Sequence, residues 1–395
     1  TGLSPRDAAL ARRLAEQVVR HLRLLDLWID HLAAPDGKKP GSRKLDGTTR
    51  DLLRLGLAQL RYSRVPVHAA VDSIMRIAPH RSRGFVNALL RRAVREPDVL
   101  DQWAAAAPPA IRYHLSDTLW AHWEKNHGED LASRLALASV ETARLAFRFN
   151  AFFSKGEPDS APGVHAIAGH PGFFHSDEHL PDEWLAGGMV AVQDPGAALA
   201  TELLDPNPGE TILDACASPG GKTRHLAEIA FMKNGGGEDS ARIIACDLAP
   251  RLPRLQENLR RWRVPAVECT AVDWTNPESI ADIPLVHAVL LDAPCTNTGV
   301  LRRRIEARWR FDAESLACAT RLQSALLDAV AAKVRPGGRL IYSTCSVEPE
   351  ENEDQIAAFF ERHPGWTLTT TRSSGFPDSG CDGHFAARLE YETPG

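Results

Sequence analysis

From residue 211 onward, short apolar runs recur with amphipathic stretches between them, and this alternation restricts the fold more than any other feature of the chain. The runs cover residues 211–216, 242–247, 267–273, 286–292 and 339–344. Near-continuous apolar strands suit a sheet covered on both faces, and intervening helices serve as crossovers between parallel strands. The last helical stretch, 313–334, stops just before Pro336, Gly337 and Gly338, residues that end helices. The pattern therefore predicts an α/β, doubly wound, Rossmann-like domain over residues 188–395. In such a sheet, ligands bind at the carboxyl ends of the strands.

The first run leads into ILDACASPGGKT, residues 212–223, a strand, a Gly-rich turn and a helix start. Glycine lets backbone approach a ligand closely, and a helix N-terminus offers free amides to an anionic group. A phosphate loop of the Walker type needs glycine where Cys216 stands, so Lys222 and Thr223 make half of that motif. The G-x-G-x-x-G dinucleotide fingerprint is absent too. A nucleoside cofactor without a diphosphate remains, and S-adenosylmethionine fits. Cys216, Ala217, Ser218, Pro219, Gly220, Gly221 and Lys222 form its candidate loop. Asp247 ends the second strand and suits ribose hydroxyls, Asp273 ends the third and lies toward the adenine, and Asp292 ends the fourth. One strand-end aspartate is commonly a turn residue. Three on consecutive strands after a Gly-rich turn favour a cofactor site.

Two cysteines follow the last two strands: Cys295 in DAPCTNTG and Cys345 in IYSTCS. A lone cysteine is more often a small buried hydrophobe. Here the pair has a chemical rationale, because carbon 5 of cytosine is a poor nucleophile until a thiolate adds at carbon 6 and makes carbon 5 enamine-like. Which of the two attacks is left open by the residues themselves.

The first 140 residues read as all-α. Ser4, Pro5 and Asp7 open a helix as N-cap, first helical residue and first-turn acid. Leu10, Leu14, Val18 and Leu22 follow at helical spacing, and further amphipathic series span 24–32, 52–60, 68–77 and 85–94, with an exposed loop over 35–41. Residues 96–140 stay helical but are punctuated by Pro97, Pro108 and Pro109, which suggests a connector. Strand-like alternation at 144–149 and 164–168, separated by a Gly/Pro/Ser loop, suggests a small α/β insert over 141–187, either a spacer or one wall of an RNA channel.

Arginine outnumbers lysine 38 to 8, which favours planar contacts with phosphate and base over point charges. A net charge of −5 argues against a wholesale cationic nucleic-acid binder and leaves room for local patches such as Arg81, Arg83, Arg91, Arg92 and Arg95. Seven cysteines, never set as C-x-x-C or beside histidines at zinc spacing, disfavour disulfides and a structural metal. With no apolar run of about 18 residues and no signal pattern, a cytoplasmic, monomeric protein with no membrane partner is expected.

LLRLGLAQLRY (52–62), VPVHAAV (65–71) and GFVNALLRR (84–92) together resemble the helical RNA-binding domain of the NusB antitermination type. The expected domain covers residues 1–130, with 96–140 as the connector. DACASPGGKT, LLDAPCTNTGVLRRR, IYSTCSVEPEEN and DGHFAARL (382–389, an expected last strand) resemble the bacterial 16S ribosomal RNA cytosine-5 methyltransferases of the Sun/Fmu type. That resemblance implies methyl transfer from S-adenosylmethionine to a flipped or single-stranded cytosine of 16S RNA. It makes Cys345 the nucleophile, gives Cys295 a part in releasing the product, and has Asp292 hydrogen-bond the cytosine. DNA cytosine-5 methyltransferases place the nucleophile in a Pro-Cys motif, which here would be Cys295, so the choice of Cys345 is inherited from the resemblance. Two positions depart from the pattern: Ser218 replaces an alanine, and Ile305, Glu306 and Ala307 precede Arg308 and Trp309. Arg302, Arg303, Arg304 and Trp309 either hold phosphates and a base or cap the domain. Alternative readings are the same chemistry on 23S or transfer RNA, and a non-catalytic RNA-binding assembly or antitermination factor.

Overall fold

The computed structural model describes residues 2–35, 38–153, 163–177, 179–237 and 240–393. The Gly/Pro/Ser loop of the insert (154–162) and residues 36–37 of the 35–41 loop lie outside the described residues. The chain divides into two compact units: Thr1–Glu141 with Arg303–Asp312, and Thr142–Arg302 with Ala313–Gly395.

The first unit is helical: α1 (Pro5–Arg20), α2 (Leu22–Ala33), α3 (Gly47–Tyr62), α4 (Val67–Ile77), α5 (His80–Arg95), α6 (Pro97–Ala105), α7 (Pro109–Arg112) and α8 (Asp117–Val140). Ser4 caps α1 by accepting the Asp7 amide at 3.2 Å, and Asp46 caps α3 in the same way from Thr49. The apolar series from Leu10 to Leu22 is not one helix: α1 ends at Arg20, Leu22 opens α2, and Leu10 is exposed. The core gathers Leu25, Trp28, Ile29, Leu53, Leu57, Ile74 and Leu90. Trp28 Nε1 donates to the Leu100 carbonyl.

Residues 303–312, expected with the catalytic domain, group with these helices. Arg308 is fully buried and donates to the carbonyls of Ile305 (3.1 Å), His114 (3.2 Å) and Ser139 (2.9 Å). Burial lowers its pKa to about 9. Trp309 Nε1 donates to the Val19 carbonyl at 2.8 Å. These two side chains are therefore structural, which answers the capping reading for them. Arg308→Ala is expected to destabilise the helical unit by about 3 kcal/mol, since a buried carbonyl and two half-buried ones lose a charged donor, as read by urea unfolding of the full chain.

The second unit holds two sheets. The small one contains β1 (Ala146–Phe149), β2 (Val164–Ala166), β3 (Phe174–Ser176) and β4 (Val190–Val192) in the order β2-β3-β1-β4, all antiparallel. Because β4 pairs with β1, the small sheet reaches past the expected boundary at residue 187. The large sheet contains β5 (Thr211–Asp214), β6 (Arg242–Asp247), β7 (Val267–Ala271), β8 (Val286–Asp292), β9 (Val334–Thr344), β10 (Trp366–Ser373) and β11 (Phe385–Tyr391). Its order is β10-β11-β9-β8-β5-β6-β7. The five strands from β7 to β9 are parallel, as expected, and β11 joins antiparallel between β9 and β10. The expected last strand is thus interior, and β10 forms the edge.

Successive side chains of a strand point to opposite faces, and both faces here are covered. Leu213, Leu291, Leu340 and Tyr342 pack with Leu327, Val330 and Phe359 of helices Ala313–Ala331 and Glu353–Arg362. Ile212, Leu290 and Ile341 pack with Leu204, Leu226 and Ala230 on the other side. Burial on both sides is why these strands read as unbroken apolar runs. Strand order turns at β5 and β8, so a crevice opens at their carboxyl ends.

Candidate active site

β5 ends at Asp214 and hands over to the Gly-rich turn, which runs into helix Gly221–Lys233. Gly220 takes φ +104°, and a Cβ there would meet Leu255 Cδ1 at 3.0 Å, so this bend needs glycine. A Cβ on Gly221 would meet nothing within 4 Å. No side chain among the described residues caps this helix. An open Gly221 beside free amides fits a carboxylate such as that of an amino-acid moiety.

Asp247, at the end of β6, is buried, and its two carboxylate oxygens accept the amides of Ser218 and Leu248, each at 2.8 Å. It ties the turn to the next strand, and a carboxylate retains further lone pairs for hydroxyl donors. Pro219 is held through its carbonyl, which accepts from Asn258 Nδ2 at 2.8 Å, and Ala217 donates to the Cys246 carbonyl. Burial, with Asp247 next in effect, pushes the Cys216 thiol far up, which makes it an inert packing residue. Asp273 lies two residues past β7 and is exposed. Its carboxylate accepts from the Thr275 amide (2.9 Å) and hydroxyl (2.6 Å), and these bonds lower its pKa. This is the turn role that one strand-end aspartate commonly has.

Parallel pairing sets Asp292 opposite Ser343. Ser343 Oγ donates to Asp292 Oδ1 at 2.8 Å, and Lys222 Nζ pairs with Oδ2 at 2.7 Å. Burial opposes the charge on Lys222, but Asp292, with Cys345 and Asp214 adding to it, leaves the pKa raised. The ammonium of the turn is thus fixed beside the fourth strand end.

The same register brings the two cysteines together, with Cys295 Sγ 3.2 Å from Cys345 Sγ and both thiols half-buried and free. The hydrogen bond with Cys345, then burial, hold the Cys295 pKa well above the ordinary thiol value. Cys345 Sγ also lies 3.4 Å from Asn297 Oδ1. The loop bearing Cys295 is pinned on both sides: the Gly299 amide donates to the Cys345 carbonyl at 3.0 Å, and the Gly383 amide to the Gly299 carbonyl at 2.7 Å. A Cβ on Gly299 would collide with the Gly383 backbone. Arg302 binds Asp382 and the Gly380 carbonyl rather than standing free for phosphate.

The profile of the 16S rRNA methyltransferase RsmB/F family matches residues 201–389, and that of the NusB family residues 1–95. Over 417 residues the chain is 34% identical to ribosomal RNA small subunit methyltransferase B of Cronobacter sakazakii, covering 98% of this chain and 91% of the relative. The chain belongs to the RsmB/F methyltransferase family. A relative of the same name from Vibrio vulnificus is 32% identical, with 93% and 85% covered. Among solved structures, PH0851 superposes with a TM-score of 0.74 at 25% identity, covering 98% of this chain and 91% of that one. A methyltransferase homologue from Pyrococcus horikoshii shares the fold at TM-score 0.59, 24% identity, and 72% and 97% coverage. S-adenosylmethionine is the methyl donor of this methyltransferase. No helix among the described residues is long and apolar enough to cross a membrane.

Four residues that shape the crevice were not singled out from the sequence. Ser343 and Asn297 touch Asp292 and Cys345 as above. Asp214 is fully buried, accepts from Thr223 Oγ1 at 2.6 Å, and is pushed up to about 7 by burial. Glu351 is buried, and burial raises its pKa. It accepts from the amide and hydroxyl of Thr296, next to Cys295, at 2.9 and 2.5 Å, and from Gln323 at 2.9 Å. The one available signal was position: Asp214 ends the first strand, and Glu351 sits in the VEPEEN run.

Proposed function

We propose that the protein methylates carbon 5 of a cytosine in 16S ribosomal RNA through a covalent bond between Cys345 Sγ and carbon 6. The observation that carries this reading is the 3.2 Å approach of Cys295 and Cys345 beside the Lys222–Asp292 pair. S-adenosylmethionine supplies an electrophilic methyl group. The turn 216–222, Asp247 and Asp273 would hold it, the turn amides by its carboxylate and Asp247 by its ribose hydroxyls.

Asp292, oriented by Ser343, accepts from the exocyclic amine of the flipped cytosine. Lys222 offsets negative charge that develops on the ring. Cys345 loses its proton to water and attacks carbon 6 as thiolate, its electron pair forming the S–C bond and the ring electrons becoming available at carbon 5. After methyl transfer the carbon 5 proton is lost to water, the C5–C6 double bond re-forms, and Cys345 departs. Cys295 donates its S–H hydrogen bond to the departing thiolate. The RNA assignment rests on relatives named for small-subunit ribosomal RNA, and the NusB-like helical domain is read as the part that engages RNA.

Incubating the protein with methyl-labelled cofactor and unmethylated 16S, 23S or transfer RNA tests this directly. Label is expected in 16S RNA alone, recovered as 5-methylcytidine after nuclease digestion. Label in 23S or transfer RNA, or in another nucleoside, would refute the substrate or the position.

A further inference from the structure

The small sheet takes no part in the chemistry above, yet the segment just past β1 grips the turn and helix read as the cofactor loop. Asn150 is buried, and its side-chain amide donates to two carbonyls from separate parts of the chain, Gly188 at 2.9 Å and Trp262 at 2.7 Å. The Trp262 ring stands 3.5 Å from the place of a Gly220 Cβ, beside Leu255 and Leu259, and so forms part of the wall that sets the bend. Gly188 is pressed so close to the Arg261 carbonyl that a Cβ would overlap it.

Three further contacts reach helix Gly221–Lys233 itself. The Ala151 amide donates to Glu228 Oε1 at 3.3 Å, Arg148 pairs with Glu228 at 3.5 Å, and Phe152 meets Phe231 edge to face at 5.3 Å. Glu228 is also paired with Arg224 at 2.5 Å, and neither side chain is exposed to solvent. Burying such charges is costly, and the use best attested for them is fixing a unique register between elements.

We propose that segment 148–152 is a positioning element for the cofactor loop, with Asn150 holding Trp262 against Gly220 while Arg148, Ala151 and Phe152 fix the helix behind it. This rests on the reading that turn 216–222 binds S-adenosylmethionine. The small sheet is then neither a bare spacer nor defined by RNA contact alone. It sets cofactor affinity from outside the site.

The test uses the full chain, titrating S-adenosylhomocysteine by calorimetry and measuring methyl transfer to 16S RNA. Asn150→Ala leaves two buried carbonyls unpaired and is expected to raise the cofactor Kd and the KM for S-adenosylmethionine about tenfold, with kcat at saturating cofactor and the KM for RNA within about twofold. A Kd changed by less than about threefold in a folded variant, or a fall in kcat with the cofactor KM unmoved, overturns the proposal. If Asn150→Ala does not fold, Phe152→Leu is read by the same measures against the same outcomes. Gly220→Val separates the two levels: if it binds cofactor as tightly as the unaltered chain, the cofactor-loop reading fails and this inference with it. If Gly220→Val loses binding while Asn150→Ala keeps it, the inference alone fails.

Discussion

Cys345→Ala is expected to lower methyl transfer roughly 10⁴-fold or more, the scale seen when a covalent nucleophile is removed. Cytosine carbon 5 becomes reactive only after addition at carbon 6, the step proposed for Cys345. Burial pushes the Cys216 thiol far up, and the hydrogen bond with Cys345, then burial, raise that of Cys295. Cofactor binding by calorimetry should be unchanged, because Cys345 sits at the end of β9 and not in the Gly-rich turn. The exposed Cys318 provides the control: Cys318→Ser should retain full activity. A denaturant-stable complex between RNA and the Cys345→Ala protein would reverse the roles of the two cysteines.

Cys295→Ala is expected to do something different in kind: the attack proceeds but release fails. A departing thiolate in a half-buried crevice needs a hydrogen-bond donor, and the Cys295 thiol is the donor placed 3.2 Å away. The hydrogen bond with Cys345 and burial raise its pKa well above the ordinary thiol value, which favours the S–H form. Adduct should therefore accumulate as a protein–RNA band on denaturing gels, with turnover reduced roughly 10²–10⁴-fold, the usual range for a lost acid or base. The unaltered chain should show little of that band. Free turnover of Cys295→Ala with no trapped band would remove Cys295 from the mechanism.

The α/β domain was legible because its five parallel strands are short, apolar and covered on both faces, and each is followed by turn or helix signals. The helical domain was legible from periodicity and caps such as Ser4. Where reading failed, local pattern was missing. β10 is almost wholly exposed along its length, so it has no apolar alternation to detect. β3 and β4 have three residues each and are defined by pairing with β1 rather than by composition. The basic run from Arg302 to Trp309 was ambiguous between RNA contact and capping, since a charged side chain carries the same letter whether it meets phosphate or a buried carbonyl. Arg308 meets carbonyls.

The sequence by itself determined the strand–turn–helix over residues 212–223, the parallel sheet, and the presence of two cysteines just past two strand ends, because each depends on residues close together in the chain. Tertiary structure decided the rest. Cys295 and Cys345 are 50 positions apart and meet only because β8 and β9 pair in parallel with Asp292 opposite Ser343. Parallel pairing of β5 with β8 brings Lys222 to Asp292, and Glu351 comes to lie behind Thr296. The raised pKa of Cys295 likewise comes from a neighbour brought from another strand and from burial, and neither is written at Cys295 itself.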